Sequence, residues 1–183
     1  MAWGRAKSYD TRSMHITASD PPDDAFAQAY KEYKDAIFRH CYFHVFDREL
    51  ALDFVQETFI KTWEYIAAGN DVENMRAFLY KVATNLVYNH TRKKKESSLE
   101  ALMEGGFDPG EEDPALHRDR REEQYVLQVL ARLREPFRTA VSLRYIEGLQ
   151  PVEIAEITGE KVNTVSAHIT RGLKQLRSHL AHE

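Results

Sequence analysis

Apolar residues recur along most of this chain three or four positions apart, the spacing of one face of an α-helix. Phe26, Tyr30, Tyr33, Ile37, Cys41 and Val45 form the first series, and Asp23 or Asp24 stands where a cap belongs. A second helix is predicted from near Asp47 to Ile66, with Leu52, Val55, Phe59, Thr62 and Ile66 as its buried stripe. Gly69-Asn70-Asp71 breaks it. A third, about Asn74 to Lys95, buries Met75, Leu79, Val82, Leu86 and His90.

The periodicity then lapses. Glu96 to about Asp113 holds Ser97-Ser98, Gly105-Gly106 and Pro109-Gly110, the composition of a linker, with a short helix expected at Leu99–Met103. It resumes with a helix over Arg118–Arg134 and another that starts on Pro136 and reaches about Ile146. Gly148 ends that one, Pro151 opens a short helix to Thr158, Gly159 turns the chain, and Val162–Leu180 is the last helix. Its core face is Val165, Ile169, Leu173, Leu176 and Leu180. The expectation is an all-α protein of two small helical domains, 23–95 and 118–183, joined by a flexible acidic linker, 96–117. Residues 1–22 are polar, end in Pro21-Pro22 and read as a flexible arm.

Composition narrows the classes. With 43% hydrophobic residues in 183, the chain can bury cores, yet no stretch approaches the roughly 18 apolar residues of a membrane helix. No apolar signal core opens the sequence, and the single cysteine, Cys41, fits a reducing cytosol. A cytoplasmic protein without membrane contact is expected. The formal net charge is −4, but it is unevenly spread. Residues 96–123 carry 3 basic and 10 acidic groups, whereas 1–95 carry 14 and 13, and 124–183 carry 8 and 6. The acidity sits in the middle, which leaves both flanking segments suited to phosphates.

Candidate chemistry is not catalytic. The sequence has no Gly-rich phosphate loop, no nucleophile elbow and no metal-ligand set, so no enzyme, metal or cofactor is expected. His40 and His44 share a helix face beside Cys41, but no further ligand is evident, and they read as two ordinary histidines around a core cysteine.

Three polar faces carry more. On the second helix Asp53, Glu57, Ile60 and Glu64 fall at i, i+4, i+7 and i+11 with Gln56 beside them. Spacing alone allows either a solvated face or a docking surface for a basic helix. On the third helix Phe78, Lys81, Asn85, Tyr88 and Arg92 lie along one side and run into Lys93. Cations for phosphates, an aromatic platform for a base and an amide for a base edge are what single-stranded DNA needs. Near the C-terminus Ala155, Gly159 and Val165 have the spacing of a helix-turn-helix: a small residue at the crossing, a turn, an apolar lock. Asn163, Ser166, Thr170, Lys174 and Arg177 then face outward, flanked by Ala167, His168 and Arg171, a surface for the major groove.

The order of these segments over roughly Asp23 to His179 resembles the extracytoplasmic-function sigma factors of bacterial RNA polymerase. The resemblance implies that Asp53, Gln56 and Glu57, with Ile60 and Trp63, dock on a coiled coil of the largest polymerase subunit. It implies that the third helix and the loop Gly69–Glu73 capture an unpaired base of the minus-ten promoter element. Phe78 stands where the family more often has Trp. It implies that the helix-turn-helix reads the minus-thirty-five element, with Arg144 as a backbone contact, although Ser166, Ala167 and His168 replace the cations common there. Core RNA polymerase, promoter DNA and an anti-sigma factor are the partners it implies. The rival is a helix-turn-helix regulator that does not bind polymerase, which copurification with the core enzyme would discriminate.

Overall fold

The computed structural model of the chain describes residues 22–97 and 125–180. Its helices are α1 (Pro22–Val45), α2 (Arg48–Ala67), α3 (Met75–Ser97), α4 (125–131), α5 (Phe137–Tyr145), α6 (Pro151–Thr158) and α7 (Val162–Leu180). The architecture is all-α. The arm over 1–21, most of the linker with its short helix, and the start of the fourth helix lie outside the described residues.

Local chemistry sets the helix ends. Asp47 caps α2: its backbone is extended and its carboxylate accepts the Leu50 N–H at 3.1 Å. Asn74 does the same for α3, accepting from Ala77 N–H at 3.0 Å. Gln150 and Glu153 form a reciprocal capping box around Pro151, so α6 starts where the sequence places it. Gly159 closes α6 at φ 72°, a conformation that favours glycine, and hands the chain to α7.

Helices α1, α2 and α3 pack around Ala29, Tyr33, Ile37, Cys41, Val55, Phe59 and Leu79. Thr58 and Thr62 are buried among them because their hydroxyls bond back to the carbonyls of Phe54 and Thr58. Helices α5, α6 and α7 pack around Leu143, Leu149, Ile154, Ile157 and Val165. Ala155 is buried at the helix crossing, and Val165 is fully buried.

Several expectations are corrected. Leu52 is 39% exposed, whereas Ala51, Phe54 and Thr58 are buried. Helix α2 packs on α1 and α3 together, so its buried face is wider than one stripe and turned away from Leu52. Tyr30 is 43% exposed and lies edge-on to Phe59. Helix α4 ends at 131, short of Arg134, and Pro136 is the N-cap of α5 rather than its first residue.

The two helical units pack on one another, which the pattern of either alone does not announce. Helix α3 lies against α6, and α1 against α5. Phe43 of α1 is buried with Leu127, Leu130 and Leu133 of the α4 segment and Val141 of α5. A side chain of that kind is worth about 1.5–3 kcal/mol when fully buried.

Candidate polymerase and nucleic-acid interface

Asp53, Gln56 and Glu57 are all exposed on one face of α2, and Ile60 beside them is 56% exposed. Glu57 pairs loosely with Lys61 one turn on, at 3.4 Å. Trp63 is half-buried, edge-on to Phe26 at 5.1 Å, and so belongs partly to the core.

Helices α2 and α3 enclose a groove of about 620 Å³ next to that face. Phe78 forms one wall with Tyr65, their rings 4.8 Å apart and tilted by 37°. Asn85 and His90 of α3 also line it, and Lys81 is exposed nearby. Glu57 lines the same groove, so it belongs to both surfaces. Sequence reading missed Tyr65. Its signal was an aromatic one turn before the Gly69 break, close to the loop expected to shape a base pocket.

Tyr88 and Arg92 do not join this groove. They line a second cleft, of about 450 Å³, opposite Glu135, Pro136 and Glu160 of the C-terminal unit. Tyr88 donates to the Thr139 hydroxyl at 3.0 Å, and burial pushes its phenol up to about 12. The Lys93 side chain lies outside the described residues.

On α7, Asn163, Ser166, Thr170, Arg171 and Lys174 are exposed and Ala167 is half-buried. His168 is drawn inward: Nδ1 lies 3.2 Å from the Glu160 carboxylate and the ring is edge-on to Phe137. Arg144 braces the turn after α5, donating to the Leu149 carbonyl at 3.1 Å and the Gln150 amide oxygen at 3.2 Å.

Between the units runs a polar seam that sequence reading did not anticipate. Glu147, in the turn before α6, is only 3% exposed. Arg39 of α1 approaches its two carboxylate oxygens at 3.4 and 3.2 Å, and the Tyr80 hydroxyl of α3 donates to it at 2.7 Å. Arg76 donates to the Glu147 backbone carbonyl. Burial, and then the Glu147 carboxylate, hold the Tyr80 phenol well above its usual range. Further along, His44 Nε2 lies 2.9 Å from Thr139 Oγ1 and Arg138 donates to the His44 carbonyl at 3.3 Å. The two histidines read as ordinary are thus interior groups: His40 sits 2.9 Å from Thr84 Oγ1 and its ring neighbours that of His44. Among the described residues no three candidate ligands gather as a metal site. The missed signal was α3 itself: Tyr80, Ala83, Thr84 and Val87 are buried on a face that the predicted stripe leaves out, and Tyr80 and Thr84 meet His40 of α1.

A family model described as sigma-70 region 2 matches residues 29–97, and one described as sigma-70, region 4 matches 123–176. The chain is 32% identical over 171 residues to the ECF RNA polymerase sigma factor SigW of Bacillus subtilis, covering 86% of this chain and 89% of that protein. It is 32% identical over 174 residues to the ECF RNA polymerase sigma factor SigE of Mycolicibacterium smegmatis, covering 93% of this chain and 67% of that one. Among solved structures, CnrH in complex with the cytosolic domain of CnrY shares the fold with a TM-score of 0.69 at 20% identity, over 91% of this chain and 94% of that chain. RpoE in complex with the anti-sigma factor NepR from Bartonella quintana does so with a TM-score of 0.68 at 21% identity, over 85% and 96%. With both modules in this order, and at 32% identity to a Bacillus subtilis relative of which it spans 89%, the chain belongs to the extracytoplasmic-function sigma factors of bacterial RNA polymerase.

Proposed function

We propose that the two units divide the work of a sigma factor as their surfaces allow. The α2 face of Asp53, Gln56, Glu57 and Ile60 docks on core polymerase, with Trp63 at its edge. The groove between α2 and α3 takes an unpaired base of the minus-ten element, with Phe78 and Tyr65 as the stacking wall and Asn85 and Lys81 toward base and phosphate. Tyr88, Arg92 and Lys93 follow the strand beyond it. The exposed side of α7, with Arg144, takes the minus-thirty-five duplex through Asn163, Ser166, Ala167, His168, Thr170, Arg171 and Lys174. The protein works in the cytoplasm, and an anti-sigma factor restrains it, as NepR and CnrY accompany the structural neighbours. The domains of action are the units 23–95 and 118–183, with 96–117 as tether.

The observation that carries this reading is the place of Glu57. It stands on the acidic docking face and also on the rim of the α2–α3 groove. Polymerase seated on α2 would therefore hold the groove beside the strand it melts. Replacing Asp53, Gln56 and Glu57 together with Ala tests it. All three are exposed, so helicity should be kept while core polymerase is no longer retained in a pull-down. Undiminished core binding by that variant would overturn the docking assignment.

A further inference from the structure

Thr139 has one hydroxyl hydrogen and three polar neighbours. Its Oγ1 lies 2.7 Å from Glu135 Oε2, 2.9 Å from His44 Nε2 and 3.0 Å from the Tyr88 hydroxyl. Tyr88 supplies a hydrogen of its own, since burial pushes that phenol up to about 12. His44 Nδ1 lies 2.7 Å from the His40 carbonyl oxygen, which can only accept, so Nδ1 carries a hydrogen. A neutral His44 would then present a bare Nε2. Thr139 would face two acceptors, that nitrogen and a carboxylate oxygen, with one hydrogen between them. One of the two short contacts would press lone pair against lone pair in a buried site, where an unsatisfied polar atom is costly. A single added proton removes the conflict. With Nε2 protonated, His44 donates to Thr139, Thr139 donates to Glu135, and Tyr88 fills the second lone pair of Thr139.

The surroundings place that proton on His44. The Glu135 side chain is 31% exposed against 1% for His44, and Arg138 Nη1 stands 3.9 Å from Glu135 Oε1. Water and a cation favour the ionised acid, and its Oε1, 3.5 Å from His44 Nε2, favours the imidazolium. Burial draws His44 toward the neutral ring; Glu135 and the His40 carbonyl oppose it, and Arg138 sides with burial. The hydrogen count settles the balance on the charged side. His40, whose ring centre is 4.7 Å away, is the neutral member of the pair: its Nδ1 meets no hydrogen-bond partner, and a second charge would leave an N–H stranded there. From α3 the relay is faced by Tyr88, which itself feels Glu160. We infer that His44, Thr139 and Glu135 form a proton-binding site built from both helical units, occupied at neutral pH as a His44 imidazolium opposite a Glu135 carboxylate, so that the packing of α5 on α1 is coupled to proton uptake. Parting the two groups returns His44 to its ordinary range, near 6.5. The contribution of the pair is therefore full below about pH 6.5 and is lost as pH rises through the higher value of the folded chain.

Nitrogen-15 labelling of the histidine rings in the full chain reads the site directly. His44→Gln identifies the His44 signals by their loss. At about pH 7 both His44 ring nitrogens should carry hydrogens, when an ordinary histidine is mostly neutral. Glu135→Gln removes the carboxylate and offers an amide N–H to Thr139, which frees the Thr139 hydrogen for a bare Nε2. In that variant His44 should be neutral at the same pH, with helicity unchanged. Denaturant titration reads the coupling. Between about pH 6.5 and 8 the unfolding constant of the parent chain should rise relative to that of Glu135→Gln, by up to about tenfold per pH unit. A neutral His44 in the parent chain at pH 7 overturns the site, and that reading stands even where Glu135→Gln fails to fold. A His44 that stays charged in Glu135→Gln overturns the part given to the carboxylate. Parallel stability curves for the two chains overturn the coupling of packing to proton uptake.

Discussion

Gly172 on α7 lies so close to Val141 on α5 that a Cβ in its place would stand 2.7 Å from a Val141 methyl carbon. The Phe137 Cβ and carbonyl oxygen lie at 3.4 and 3.5 Å from the same point. Gly in a helix ordinarily costs about 1 kcal/mol against Ala. Here the missing side chain is what lets the two helices meet. Gly172→Ala should therefore destabilise the C-terminal unit despite its better helix propensity, since overpacking costs about 1–3 kcal/mol. A urea midpoint equal to or above that of the parent chain would refute this.

Ile60 separates docking from folding. At 56% exposure it contributes little to the core, so Ile60→Ala should leave thermal stability within about 0.5 kcal/mol. If it is the apolar centre of the polymerase face, the same change should weaken core binding about tenfold, the effect of losing about 1.4 kcal/mol. Titration of labelled protein with core enzyme gives the number.

Tyr65 should behave as a second Phe78. Their rings form one wall of the α2–α3 groove, and base–aromatic stacking is worth about 1–3 kcal/mol. Tyr65→Ala and Phe78→Ala should each spare core binding and reduce open complexes on duplex promoters. Permanganate reactivity of the melted strand is the readout, and parental reactivity in the Tyr65 variant would place the base elsewhere.

On α7 the exposed cation and the inward histidine should differ in kind. Lys174→Ala should weaken duplex binding on all sequences and lower the salt slope by about one unit. His168 is held by Glu160, so Glu160→Gln, which loosens it, should alter preference among upstream elements while leaving that slope unchanged. Selection from randomised promoters separates the two outcomes.

Stability should fall on the acid side through His40. Burial first, and then the neighbouring His44, lower its pKa well below 6.5 in the folded chain. The groups around it are Thr84 and the Tyr80 ring on α3 and His44 on its own helix, with Glu135 and Arg138 of the C-terminal unit beyond. The unfolded chain binds the proton more readily than the folded one. Stability is thus full above about pH 6.5 and is lost as pH drops below it, by up to about 1.4 kcal/mol per pH unit for one such group. His40→Gln should flatten that slope between pH 6.5 and 5 in denaturant titrations.

Much of the fold could be read from the chain because its helices obey local rules. Asp47 caps, Pro151 opens, Gly159 turns, and Val165 is buried as its place in the helix-turn-helix requires. The faces of α2 and α7 were legible for the same reason: Asp53, Gln56, Glu57, Ser166 and Lys174 are polar in register with an apolar stripe and emerge exposed. What could not be read depends on residues distant in sequence. Tyr88 looks like a member of the Phe78–Arg92 stripe, but its hydroxyl goes to Thr139, 51 residues away. Glu147 looks like a polar turn residue because nothing near it in sequence announces Arg39 or Tyr80. A periodicity reports that a helix buries a face; it does not report how many neighbours bury it.

The apolar patch that Phe43 shares with Leu127, Leu130 and Leu133 has its own consequence for the life of the protein. Separating the units would strip this patch of its cover and wet an oily surface on both halves, with the rise in heat capacity that such wetting brings. An opened chain that is not yet seated on another macromolecule is therefore prone to stick to its own kind. Variants that favour separation should be recognisable by bright binding of hydrophobic dyes and by a short shelf life.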